Sequence, residues 1–195
     1  MSEIVLFHHM LGRTDGVVAF ADRLRERGHT VHVPDLFGGR RFDCIEAGIA
    51  YVQSEGFDTV AQRGVDLAED LPANSVYAGF SFGVIPAQQL AQTRPGAAGA
   101  LFLYSAVSPS AFGAGWPASV PVQIHAKDAD PFFTDEGDID AAREITAASD
   151  DGELFLYPGN EHLFAEAGHD HYDAAAAALA LDRITAFLER LDSAH

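Results

Sequence analysis

Six short apolar runs, at residues 4–7, 30–33, 75–80, 100–104, 120–126 and 153–157, recur along this chain with helix-period segments between most of them. Those segments carry apolar residues three and four apart at about 17–27, stopping at Gly28, at 57–71, closed by Pro72, and at 84–93 and 139–148, with an alanine-rich helix at 172–191. Strand-length runs joined by helical crossovers predict an α/β fold with a mostly parallel six-stranded sheet, because each right-handed crossover returns the chain in the same direction. Helices then cover both faces. In such sheets small molecules bind beyond the carboxyl ends of the strands, so the chemistry belongs in the loops that leave the apolar runs.

Length decides the domain count. At 195 residues and 48% apolar composition, one core can be well buried and two ordinary enzyme domains cannot, so residues 1–195 are read as a single domain. The apolar stretches are strand-sized or broken by charge, and Met1-Ser2-Glu3 leads directly into the first run, which predicts neither a signal peptide nor a membrane span. A single cysteine, Cys44, cannot form an internal disulfide, and the default location is cytoplasmic. Twenty-nine acidic residues against twelve basic ones give a formal charge of −17, and Lys127 is the sole lysine. Nucleic acid and anionic membranes are poor partners for such a surface, a small-molecule substrate is favoured, and a homodimer stays open.

The loop after the run at 75–80 reads Gly79-Phe80-Ser81-Phe82-Gly83 and opens the helix at 84–93. A strand that turns this sharply into a helix brings the residues two before and two after the serine together, and glycine is what fits there. The serine hydroxyl is then exposed on a strained turn, with the Phe82 amide at the helix start aimed at a developing oxyanion. A phosphate-binding loop would need Lys followed by Ser or Thr at this place, and none is present.

A serine nucleophile needs a base. His162, in Gly159-Asn160-Glu161-His162-Leu163-Phe164 just after the last run, is placed for it. His169 and His171 compete but lie further from the strand in a polar segment, and with Asp170 and Asp173 they make a weak metal motif that lacks a clear third ligand at a strand end. The acid that orients the base is sought in Lys127-Asp128-Ala129-Asp130-Pro131-Phe132-Phe133, after the run at 120–126, with Asp130 preferred over Asp128. Serine, aspartate and histidine then follow one another in the order that α/β-hydrolases use.

With Phe7-His8-His9-Met10-Leu11-Gly12, the Gly79–Gly83 segment, Asp130-Pro131-Phe132 and the His162 loop, the chain resembles the dienelactone hydrolase family of α/β-hydrolases over nearly its full length. The resemblance implies Ser81 as nucleophile, Asp130 as orienting acid and His162 as base, with the amide of Met10 joining that of Phe82 in an oxyanion hole. It implies no metal and no organic cofactor. The implied activity is hydrolysis of a small ester, lactone or thioester through an acyl-enzyme. Three departures bear on the substrate. The family's namesake enzymes carry a cysteine nucleophile, a glutamate in the first loop where His9 stands, and a carboxylate-binding arginine four residues after the histidine, where this chain has Glu166. Arg40 and Arg41 are the remaining candidates for an anion site. His9, Phe132, Phe164 and Trp116 are the expected pocket walls, and without a lid-sized insertion the site is expected to be open and shallow. His9 in place of an acid also leaves a second reading, a binding protein for a small molecule or partner that lacks hydrolytic activity.

Overall fold

The computed structural model describes residues 1–193. Its centre is one sheet of six strands, β1 (Glu3–Phe7), β2 (Thr30–His32), β3 (Val76–Phe80), β4 (Gly99–Leu103), β5 (Val122–Lys127) and β6 (Gly152–Tyr157), in the order β2-β1-β3-β4-β5-β6. Every pairing is parallel, so the sheet is wholly rather than mostly so. The helices are α1 (Asp15–Arg25), α2 (Ile45–Glu55), α3 (Phe57–Leu67), α4 (Val84–Thr93), α5 (Pro131–Thr134), α6 (Asp138–Ala148) and α7 (Ala174–Ser193).

The two faces of the sheet bury separate apolar layers, as a period of two along each strand requires. Ile4, Leu6, Ala78, Phe80, Leu101 and Leu103 pack with α1 and α7, whereas Val5, Phe7, Tyr77, Ala100, Phe102 and Ile124 pack with α3, α4 and α6. All residues of β3 and β4 are buried, which is why these strands read as continuous apolar runs. Among the described residues no helix is long and apolar enough to cross a membrane.

Several boundaries differ from the sequence expectation for local reasons. Helix α1 starts two residues earlier because the Thr14 hydroxyl caps it, accepting from Val17 N–H at 3.2 Å. Strand β5 starts after Pro121, whose missing amide hydrogen ends the ladder, and it includes Lys127, expected in the loop. Helix α3 ends at Leu67, four residues short of the expected stop. Helix α2 was not expected at all. It buries only Gly48 and Val52, its first turn has no side-chain cap, and Gly48 in its middle weakens the helical signal. A Cβ at Gly48 would collide with the carbonyl of Met10, so this glycine lets α2 dock on the loop that follows β1.

Candidate active site

Ser81 leaves the end of β3 at φ 50, a left-handed conformation that a non-glycine residue adopts only where its surroundings impose it. The surroundings are tight. A Cβ at Gly79 would meet the Gly83 carbonyl, and one at Gly83 would meet the carbonyl of Phe7 on the neighbouring strand. The chain continues through one 3-10 turn, Ser81–Gly83, directly into α4.

The Ser81 hydroxyl lies 2.8 Å from His162 Nε2, and His162 Nδ1 lies 2.6 Å from Asp130 Oδ2. Asp130 is fully buried and His162 nearly so. A carboxylate can only accept, so Nδ1 carries the proton toward Asp130 and Nε2 is left to accept from the serine. The second oxygen of Asp130 is occupied as well: Oδ1 accepts from Phe132 N–H at 3.0 Å and caps the short helix α5. Asp128 is turned away, accepting from Gly159 N–H at 3.0 Å. Sequence order and spacing thus single out three residues that the structure brings into one hydrogen-bonded line.

Two supports of this line are absent from the sequence reading. Tyr104 follows β4 at φ 74, also left-handed, and its buried hydroxyl accepts from Ala165 N–H at 3.1 Å beyond His162. Burial pushes that phenol well above its usual range, so it stays neutral. Lys127, buried at the end of β5, donates to the Pro158 carbonyl at 2.8 Å and to Asp173 at 2.6 Å, tying the turn before His162 to the start of α7. No local motif marks either residue, because each acts across tens of residues of sequence.

His9 and Glu166, two departures from the resembled family, prove to be partners. Both are buried. Leu11 N–H donates to His9 Nδ1 at 3.1 Å, which leaves the imidazole proton on Nε2, donated to Glu166 Oε2. Thr14 donates to the other oxygen of Glu166, and Gly16 provides room where a Cβ would strike the glutamate. Burial pushes the Glu166 carboxyl up, but the hydrogen bonds from His9 and Thr14 and the His9 field outweigh it and hold it below its usual range. The result is a strap from the loop after β1 and the start of α1 to the segment that follows His162.

A cavity of about 180 Å³ opens over Ser81 and His162. Met10, Phe82 and Phe132 line it, with the Phe132 ring 4.6 Å from that of His162. The other expected walls are elsewhere. His9 is held in its pair with Glu166; Phe164 is fully buried against Tyr104 and Tyr157; Trp116 is buried edge to face on Phe102 and donates to the Val120 carbonyl at 2.9 Å. Their apolar surface is satisfied by core packing, which sequence alone does not distinguish from a pocket wall. The site is also less open than expected, since Ile45 and Ile49 of α2 and Phe57 of α3 close one side. Arg41 pairs with Asp15 at 2.7 Å and Arg40 lies over the Tyr51 ring, so neither reaches the cavity. The carboxylates that do line it are Glu136 and Asp138. Asp138 accepts from Ser105 Oγ at 2.6 Å and Ala106 N–H at 3.2 Å; burial raises its carboxyl above the usual range. Among the described residues no group of three or more His, Cys, Asp or Glu side chains is placed to hold a metal ion; His171 N–H donates to His169 Nδ1 at 3.1 Å, and the two rings meet edge to face, 5.0 Å apart.

A parallel sheet of this order, with a serine on a left-handed turn after one strand and an acid and an imidazole after two later ones, defines an α/β-hydrolase fold. The chain belongs to the dienelactone hydrolase family, whose model matches residues 1–191, and membership makes it a hydrolase of carboxylic ester-type bonds. No curated protein matches it by sequence. Solved structures share its fold at low identity. A dienelactone hydrolase-like promiscuous phosphotriesterase from metagenomic libraries matches with TM-score 0.76 and 19% identity, over 98% of this chain and 87% of that one. Esterase PE8 matches with TM-score 0.64 and 18% identity over 97% and 92%. Thermogutta terrifontis esterase 2, in a form phosphoramylated by tabun, matches with TM-score 0.62 and 19% identity over 97% and 83%.

Proposed function

We propose that the protein is a single-domain serine esterase that cleaves small carboxylic esters, lactones or thioesters, with Ser81 as nucleophile, His162 as general base and acid, and Asp130 as the carboxylate that orients His162. The observation that carries this reading is the unbroken hydrogen-bonded line from Ser81 Oγ through His162 to the buried Asp130. Ser81 Oγ attacks the carbonyl carbon while His162 Nε2 takes its proton, and the amides of Met10 and Phe82, both at the cavity, receive the oxyanion. The proton then passes from Nε2 to the leaving alcohol or thiol. Water, deprotonated by the same nitrogen, attacks the acyl-enzyme and the acid departs as Ser81 regains its proton. Asp130 holds the Nδ1 proton throughout and stabilises the imidazolium. A cavity of about 180 Å³ is small for a drug-sized ligand, which favours short substrates.

His9, the feature that left a binding-only role open, is accounted for by its pairing with Glu166 and no longer favours that role. Incubation with a fluorophosphonate probe tests the assignment: one label per chain, located on Ser81 by peptide mapping, is expected. An unlabelled serine in folded protein would sink it.

A further inference from the structure

The carboxylates at the cavity are Glu136 and Asp138; among the described residues no arginine or lysine lines it. Asp138 stands at the first position of α6, fixed through Oδ2 by Ser105 and Ala106, and among the described residues nothing is shown donating to its Oδ1. Glu136 sits exposed at the rim. Most of the remaining lining is apolar or aromatic, including Phe57 and Phe132. Glu166 is turned away from substrate and consumed by His9 and Thr14, and the two arginines near the first loop are engaged elsewhere. A carboxylate entering this space would meet two acids and no cation, whereas an alkylated ammonium would find carboxylates for its charge and aromatic faces for its methyl groups.

We propose that this cavity selects esters carrying an alkylammonium group and rejects those carrying a carboxylate, with Glu136 and Asp138 as the residues that set the preference. The inference rests on the esterase reading and assigns its substrate class. The formal charge of −17 acts in the same direction at long range, drawing cationic substrates in and slowing the approach of anions.

Three aryl esters with one leaving group test it, their acyl chains ending in trimethylammonium, in tert-butyl as the neutral isostere, or in carboxylate. Each kcat/KM is divided by the hydroxide-catalysed rate of the same ester to remove intrinsic reactivity. At low ionic strength the trimethylammonium ester is expected to exceed the tert-butyl ester by about tenfold and the carboxylate ester by about a hundredfold, and high salt should shrink both ratios. The Glu136→Gln/Asp138→Asn double variant is expected to reduce the cationic-to-carboxylate ratio at least ~10-fold, for removal of two like charges. Glu136→Gln alone, at an exposed rim position, should move the ratio part of the way and serves if the double variant folds poorly. Because the readout is a ratio, a general loss of active protein cancels. Equal normalised rates, a preference for the carboxylate ester, or a cationic preference that survives the double variant would overturn the proposal and leave the esterase reading intact. No turnover of any of the three, with Ser81 unreactive to fluorophosphonate, would overturn both.

Discussion

Ser81, Asp130 and His162 stand on loops leaving three strands of one sheet, whereas Ile45, Ile49 and Phe57 reach the same cavity from two helices laid outside it. The first group is fixed by hydrogen bonds and by backbone approaches that tolerate no added atom. Asp130 uses both oxygens, Gly79 and Gly83 have no room for a Cβ, and Tyr104 and Lys127 brace the His162 segment from behind. The second group rests on little. Helix α2 buries two residues, and Phe57 keeps 46% of its surface exposed. Parts that must meet to about half an ångström are built on the sheet. The wall that meets the variable part of a substrate can yield, because few buried contacts hold it.

The sharpest break in this contrast is Ser81→Ala, expected to lower kcat/KM at least ~10³-fold while leaving the melting temperature near that of the parent, since the nucleophile is lost and the turn is kept. Steady-state kinetics beside a thermal melt would decide it; an unchanged rate would remove Ser81 from the chemistry. Asp130→Asn should cost ~10²-fold or more in kcat with a smaller change in KM, because the wrong imidazole tautomer then faces the serine. A loss confined to KM would point to a binding role instead.

Acid should loosen the outer wall. His8, buried after β1, accepts from Leu36 N–H at 3.0 Å and so anchors the segment that leads to α2. Burial lowers its pKa from 6.5 to about 4, against weaker opposing effects from the His9 carbonyl and Asp35. Between those values the unfolded chain binds the proton and the folded one does not. The stability linked to His8 is therefore complete above about pH 6.5 and falls as pH drops toward about 4, at roughly 1.4 kcal/mol per pH unit. Urea melts between pH 7 and pH 5 should show a slope that sums the share of His8 and that of His125, whose burial lowers its pKa to about 3, and His8→Gln should remove only the His8 share; an unchanged slope in the variant would assign the whole of it to the other buried histidines.

The smallest effect expected is also the most informative about the yielding wall. Phe57 and Ile85 are shared between the cavity over Ser81 and a neighbouring groove of about 500 Å³. Phe57→Ala should join the two and shift preference toward longer acyl chains by about tenfold or less, as the loss of a half-exposed aromatic ring allows. A nitrophenyl ester series of increasing chain length reads this directly, and an unaltered chain-length profile would show that α3 does not limit the substrate.

How much was visible beforehand follows the same division. Gly79-Phe80-Ser81-Phe82-Gly83 announces its turn because the clash it avoids lies within five residues, and the alternation of apolar runs announces the parallel sheet because strand and helix periods are local properties. Asp130 and His162 could be chosen by their order and their place after a strand. By contrast, Trp116 and Phe164 resemble pocket aromatics in sequence and are core residues in space, and α2 is weakly amphipathic because its register comes from Gly48 against Met10. His9 and Glu166 are 157 residues apart. Each looked like an isolated departure, and only the folding of α1 against the segment after His162 made them a pair. Steric and periodic rules act over a few residues, so the sequence by itself determined the sheet class and the turn at Ser81. Which buried groups satisfy one another, and which charges are left facing the cavity, depends on contacts between distant segments, and that the tertiary structure decided.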